Sequence, residues 1–236
     1  MKSIAVTDTV TRLSLYGLVN AYLVREDDGF TLIDTTLARH GRELIDAARA
    51  LGAPIRRIAL THGHGDHVGS LDELRDVLGA EVTVSMGTGD ARIHAGETVT
   101  DRKLTGSWPK LRTIPDVRLQ AGDSVGSLEV HESPGHSPGH VAFYDPRGGV
   151  LIAGDVFTTI GGVAVSSFRH WRFPFAAMAT FDPAQDVRSA RTLRALEPTV
   201  LVVGHGREVR SPAAAIDAAI TEAERRLPHT EQAAAR

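Results

Sequence analysis

The sequence predicts a mixed α/β fold assembled from two similar halves. Three observations point to it. Short apolar runs alternate with amphipathic segments along most of the chain. Each half passes through strands and a helix to a further strand that ends in a Gly/His-rich loop, THGHGDH in the first and VVGHG in the second. With 42% hydrophobic and 23% charged residues, the composition is that of a globular chain that can bury a core. At 236 residues, one compact domain over 1–227 with a flexible tail at 228–236 is expected.

Taken in order, residues 13–16, 21–25 and 31–34 read as strands. Within 39–51, Leu44, Ile45, Ala48 and Leu51 recur at helical spacing, and Gly52 with Pro54 ends the helix. Residues 55–61 return to strand and deliver the stretch LTHGHGDHVG. A helix over 69–78 carries Leu71, Leu74 and Leu78 on one face, and 81–85 alternate as a strand. Between 87 and 115 the pattern fades into polar sequence, which predicts a long loop or small insertion of the kind that often forms a functional lid. Strands resume at 127–132, 140–144 and 150–153, the last two joined by the turn sequence Asp145-Pro146-Arg147-Gly148-Gly149. Asp182-Pro183 opens a helix through Leu196, 199–203 form a buried strand, and 212–227 form a terminal helix. Ala214, Ile216 and Ile220 on that helix would serve either the core or a homodimer, so monomer and homodimer both stay open.

A formal charge of −3 gives no general attraction for phosphates, and Arg56-Arg57 and Arg225-Arg226 read as solvated faces, so no nucleic-acid partner is expected. No window approaches the roughly 20 apolar residues of a membrane span and no signal-peptide core is visible, which predicts a cytoplasmic protein without a membrane partner. The chain has no cysteine. Any metal must therefore be held by nitrogen and oxygen, and eleven histidines are available for it.

Residues two apart in an extended loop project to one side, so His62 and His64 can aim at one point. Asp66 and His67 follow the turn at Gly65 and face a neighbouring position, where they offer a carboxylate and an imidazole to a second cation. Three more potential ligands stand where strands end: His136 in SPGHSPGH, Asp155 in AGD and His205 in VGHG. Polar groups gathered at strand ends converge in one crevice.

This ordered set, His62-x-His64-x-Asp66-His67 followed by His136, Asp155 and His205, resembles the metallo-β-lactamase superfamily of dinuclear metallohydrolases, from about Asn20 to about Arg207. The resemblance implies a four-layer αββα sandwich with two divalent metal ions at one edge. It places His62, His64 and His136 on the first metal, Asp66, His67 and His205 on the second, and Asp155 between them, with His140 supporting the loop by hydrogen bonds. Zinc suits these donors, and manganese and iron accept them too. A bridging hydroxide would then attack the carbonyl of a small-molecule ester, lactone or related acyl bond, with Asp66 as the catalytic residue that orients the nucleophile and passes a proton.

Departures from known subfamilies narrow the substrate. Only about thirty residues follow His205, which disfavours the glutathione-binding region of glyoxalase II. Asp155-Val156-Phe157-Thr158 lacks the tyrosine that quorum-quenching lactonases place after the bridging aspartate, and exported β-lactamases carry a signal peptide; weak β-lactamase activity is compatible with the site. The aromatic stretch within 156–181 is expected to wall the cleft, with Phe157, His170, Trp171 and Arg172 as candidate substrate contacts. Trp108 in GSWPKL reads as a loop anchor, with closure over the cleft as the alternative. The competing readings are a mononuclear iron enzyme resembling persulfide dioxygenases and a metal-braced binding protein.

Overall fold

Alternate strand residues part to opposite sides, and that parting builds the layers. The computed structural model describes residues 1–168 and 173–227. In the first sheet, β1 (Lys2–Ala5), β2 (Val10–Leu15), β3 (Val19–Glu26), β4 (Gly29–Ile33), β5 (Ile55–Leu60), β6 (Thr83–Gly87) and β7 (Val117–Leu119) lie side by side in chain order. The first four pair antiparallel, and from β4 to β7 the pairing is parallel. Helices α1 (Gly41–Ala50), α2 (Gly65–Val68), α3 (Leu71–Leu78) and α4 (Thr88–His94) fall between those strands.

The second sheet contains β8 (Ser124–Val125), β9 (Leu128–Glu132), β10 (Val141–Asp145), β11 (Val150–Ile152), β14 (Val200–Val202) and β15 (Val209–Arg210), in the order β15-β14-β11-β10-β9-β8. A small hairpin, β12 (Phe157–Thr158) with β13 (Ala164–Val165), and helices α5 (Phe175–Ala179), α6 (Pro183–Arg194) and α7 (Ala213–Arg226) complete it. Asp182 caps α6 by accepting from Gln185 N at 2.9 Å, with Pro183 as the first helical residue.

On β3, Leu23 packs in a cluster with Leu44 and Ile45 of α1 and Leu71 and Leu74 of α3, while Tyr22 and Val24 join Phe143, Val150 and Val202 from the second sheet. On β11, Val150 and Ile152 take the inner side and Leu151 packs with Val187 and Leu193 of α6 and Ile216 and Ile220 of α7. The architecture is thus the αββα sandwich. Ile216 and Ile220 belong to the core, and Ala214 is exposed.

One sequence expectation changes, and five short strands go unannounced. Residues 87–115 contain α4 rather than loop throughout; the helix is short, polar and partly exposed, so no apolar stripe announces it, and it buries Asp90 and Ala91. Strands β7, β8, β12, β13 and β15 have two or three residues each, too few to show a period of two.

A row of polar side chains on β2 and β3 joins the halves at the edge that carries the candidate ligands. Asn20 Nδ2 donates to the carbonyls of Val203 (2.9 Å) and Gly206 (2.7 Å), and Arg12 Nη1 donates to Gly206 O at 2.7 Å. The Tyr22 hydroxyl donates to Val203 O at 2.6 Å and accepts from Val203 N at 3.1 Å. Burial raises the Tyr22 pKa, so the hydroxyl stays protonated for both roles. The loop after β14 is held against the first half by these bonds.

Candidate metal centre

Four loops meet at this edge, each following the strand that precedes it. His62 and His64 leave β5 in extended backbone, and the single turn α2 then presents Asp66 and His67. His136 follows β9, Asp155 follows β11, and His205 follows β14. Three sets of side chains offer one ligand atom each with all atoms of a set within 4.8 Å of one another: His62, His64 and His136; His62, His67 and Asp155; and Asp66, His67 and His205. All seven residues expected as ligands are therefore brought together.

Asp155 lies between the outer sets. Its Oδ1 is 3.5 Å from His67 Nε2, and its Oδ2 is 3.1 Å from His205 Nε2 and 3.6 Å from His136 Nε2. Asp66 Oδ2 is 3.3 Å from His205 Nε2, and its side chain is 33% exposed while that of Asp155 is 4% exposed. Close approach here depends on Gly204, where a Cβ would collide with Asp155 Oδ1 and the His67 ring.

The Nδ1 atoms of four imidazoles are engaged by the protein on the outer side, which turns Nε2 of each toward the site. His67 Nδ1 donates to Asp34 Oδ2 at 2.8 Å, and His205 Nδ1 donates to Leu18 O at 2.9 Å. Thr61 Oγ1 donates to Asp34 Oδ2 at 2.8 Å and so accepts from His62 Nδ1 at 3.0 Å. Thr180 Oγ1 donates to Ala176 O at 2.9 Å and accepts from His136 Nδ1 at 3.1 Å. His64 differs, turning Nδ1 to within 3.1 Å of His136 Nε2. Both nitrogens of His140 are spent, one on Ser133 Oγ at 2.8 Å and one accepting Asp155 N at 3.1 Å, so it has no lone pair for a cation.

His62 Nε2, His67 Nε2 and Asp155 Oδ1 are buried without a hydrogen-bond partner. Several such orphans in one place would be costly in a finished site. Nitrogen and carboxylate donors converging in this way fit divalent cations.

The metal-free chain divides its protons unevenly. Burial dominates at His64 and lowers its pKa to about 4, and burial likewise holds His62 and His136 well below 6.5. At His205 burial also pulls downward, but Asp155 and Asp66 outweigh it and raise the pKa from 6.5 to about 10. His67 is raised for the same reason by Asp155, Asp34 and Asp66. Burial pushes the carboxyls of Asp66 and Asp155 upward, yet His67 and His205 hold both below the ordinary range. The carboxylates of the Asp66, His67 and His205 set and its neighbour Asp155 thus favour positive charge there.

Because folding raises the His205 pKa, its contribution to stability is complete below pH 6.5 and is lost as pH rises through about 10. Chelator-treated protein is expected to show a Tm that falls across that window in a series of thermal melts. Metal-loaded protein, whose imidazoles ligation deprotonates, should give a flatter profile. A metal-free Tm that climbs toward pH 10 would contradict the assignment.

The substrate side is partly corrected. Phe157 is fully buried and packs with Val187 and Ile216, so its ring serves the core rather than a cleft. His170, Trp171 and Arg172 lie outside the described residues. Phe173 does reach the site, with its ring centroid 4.9 Å from that of His205. Trp108 anchors its loop by donating from Nε1 to Thr105 O at 2.7 Å, and its ring also packs edge-on to His64 at 5.2 Å.

Sequence reasoning missed Asp34, Asp90 and Thr180. For Asp34 a signal existed, since it follows β4 as the other polar groups follow their strands.

The model of the metallo-beta-lactamase superfamily matches residues 16–205. The chain belongs to that superfamily. It is 42% identical over 214 residues to the uncharacterized protein YobT of Bacillus subtilis (strain 168), covering 88% of this chain and 91% of that one. It is 25% identical to the probable metallo-hydrolase YybB of the same organism, covering 81% and 82%. Among solved structures, TTHA1623 in a di-iron-bound form aligns with a TM-score of 0.64 at 30% identity over 86% of this chain and 96% of that one. A metallo-beta-lactamase from Pontibacter korlensis aligns with a TM-score of 0.69 at 18% identity over 94% and 98%, which shows the shared fold. In the described residues no helix is long and apolar enough to cross a membrane.

Proposed function

We propose that the chain is a dinuclear metal-dependent hydrolase that cleaves a small ester, lactone or related acyl bond. The observation that carries this reading is the group of orphaned, buried donor atoms on His62, His67 and Asp155, flanked on either side by a set of three ligand atoms. His62, His64 and His136 would hold one cation and Asp66, His67 and His205 the other, with Asp155 shared. Two bound cations, zinc by preference of the donors, would supply a nucleophile from water at neutral pH and electrophilic stabilisation of the carbonyl oxygen.

The remaining steps belong to the protein. Asp66 is the one carboxylate of the group with substantial exposure, so it can take the proton of the attacking water and return it to the leaving group. Asp155, almost fully enclosed, has no such access and serves to hold the two sets together. Phe173 beside His205 gives the substrate an apolar wall.

Elemental analysis of protein expressed with zinc, manganese and iron available is expected to find two metal equivalents per chain, lost with activity on chelation. The loaded protein should turn over members of a panel of lactones, aryl esters and thioesters. One equivalent of iron together with oxygen uptake would overturn the hydrolase. The di-iron form of the structural relative makes iron the second candidate metal for the hydrolase itself.

A further inference from the structure

The peptide between His62 and His64 is gripped from both sides by one helix. Asp90 and His94 lie one turn apart on α4 and so face the same way. Asp90 Oδ2 accepts from Gly63 N at 2.8 Å, and His94 Nε2 donates to Gly63 O at 3.0 Å. The Trp108 ring packs against His94 at 5.5 Å, and a Cβ at Gly63 would run into both rings, so this close approach requires glycine.

The same carboxylate reaches the other ligand loop. Asp90 Oδ2 also accepts from Ser137 Oγ at 2.6 Å, and Oδ1 accepts from Gly139 N at 2.6 Å. Ser137 directly follows His136. One fully buried side chain thus ties together the backbone that carries His62, His64 and His136, and it belongs to none of the ligand sets. The Asp66, His67 and His205 set draws on different supports, the Asp34 carboxylate and the Leu18 carbonyl.

We propose that Asp90, assisted by His94, is a positioning residue that locks the three imidazoles of the first set into one constellation and so sets the metal affinity of that set independently of the second. This rests on the metal-centre reading above. Donors already held in place lose little freedom when a cation arrives, so weakening the clamp weakens binding without touching a ligand. In Asp90→Asn the amide NH₂ takes the place of either Oδ1, facing Gly139 N, or Oδ2, facing Gly63 N and Ser137 Oγ, so at least one backbone N–H loses its acceptor.

The test is Zn²⁺ titration against a chromophoric chelator in the full-length chain, with His205→Ala isolating the first set and His64→Ala isolating the second. Asp90→Asn is expected to weaken Zn²⁺ binding by about 10–100-fold in the His205→Ala background and to leave it unchanged in the His64→Ala background. Unchanged affinity at the first set, or equal loss at both, overturns the proposal. If thermal melts show that Asp90→Asn does not fold, His94→Phe decides: it should weaken the first set, with His94→Gln restoring the donor and the affinity, and an unchanged first set overturns the proposal. Absence of Zn²⁺ binding in the unsubstituted chain would bring down the metal-centre reading itself, and the role of Asp90 with it.

Discussion

Asp66→Ala is expected to lower kcat by about 10²–10⁴-fold on any ester or lactone the protein hydrolyses, the usual range for removal of a general acid–base group. The size follows from position. Asp66 is the carboxylate that combines ligand geometry with access to solvent, at 3.3 Å from His205 Nε2 and with a third of its side chain exposed. The substitution also removes one donor from the second set, so the kinetics are to be measured with metal content determined on the same sample. A variant that retains its metals and turns over at the unsubstituted rate would remove Asp66 from the proposed chemistry. A variant that recovers fully with added metal would reduce it to a ligand.

Asp34→Ala should produce the second large effect, and it should be seen in stability as well as in metal binding. Asp34 Oδ1 accepts Thr61 N at 2.8 Å, and Oδ2 accepts both Thr61 Oγ1 and His67 Nδ1 at 2.8 Å each. Alanine leaves three buried donors without an acceptor, which places the cost at about 3–5 kcal/mol by analogy with removing one partner of a buried pair. His67 would lose the bond that turns Nε2 inward, and His62 would lose the brace transmitted through Thr61, so metal affinity should drop by about 10–100-fold. Denaturant unfolding and chelator competition read the two effects separately. Unfolding free energy and affinity both close to those of the unsubstituted chain would show that the Asp34 network is dispensable.

The residues proposed as ligands were legible in the sequence because they obey a local rule: each stands where a strand ends, and four of them crowd into His62 to His67. The long elements were legible for the same kind of reason, since Leu44, Ile45 and Ala48 on α1 or the alternation along β3 repeat often enough to declare a period. What was not legible depends on partners far away in the chain. Nothing local marks Leu18 as the acceptor for His205, because the acting group is a backbone carbonyl. Thr180, in the apolar run FAAMATF, and Asp90, in the polar sequence TGDARIH, are ordinary residues until the fold brings them to His136 and Gly63. Phe157 misled because an aromatic two residues beyond the candidate ligand Asp155 looks like a cleft residue, whereas β12 turns it inward to the core.

The polar row that ties the halves together has a consequence for how the site comes into being. Asn20 and the Val203 carbonyl it holds are 183 residues apart. The first half, with His62 to His67, emerges early in synthesis, but the last imidazole, His205, follows His67 by 138 residues and arrives much later with the loop that carries it. Closing a loop of that length costs chain entropy before any contact offsets it, and folds rich in such contacts fold slowly. A nascent chain therefore displays part of the candidate site long before it can close the whole of it, and binding of two cations as proposed would require a molecule in which both halves have met.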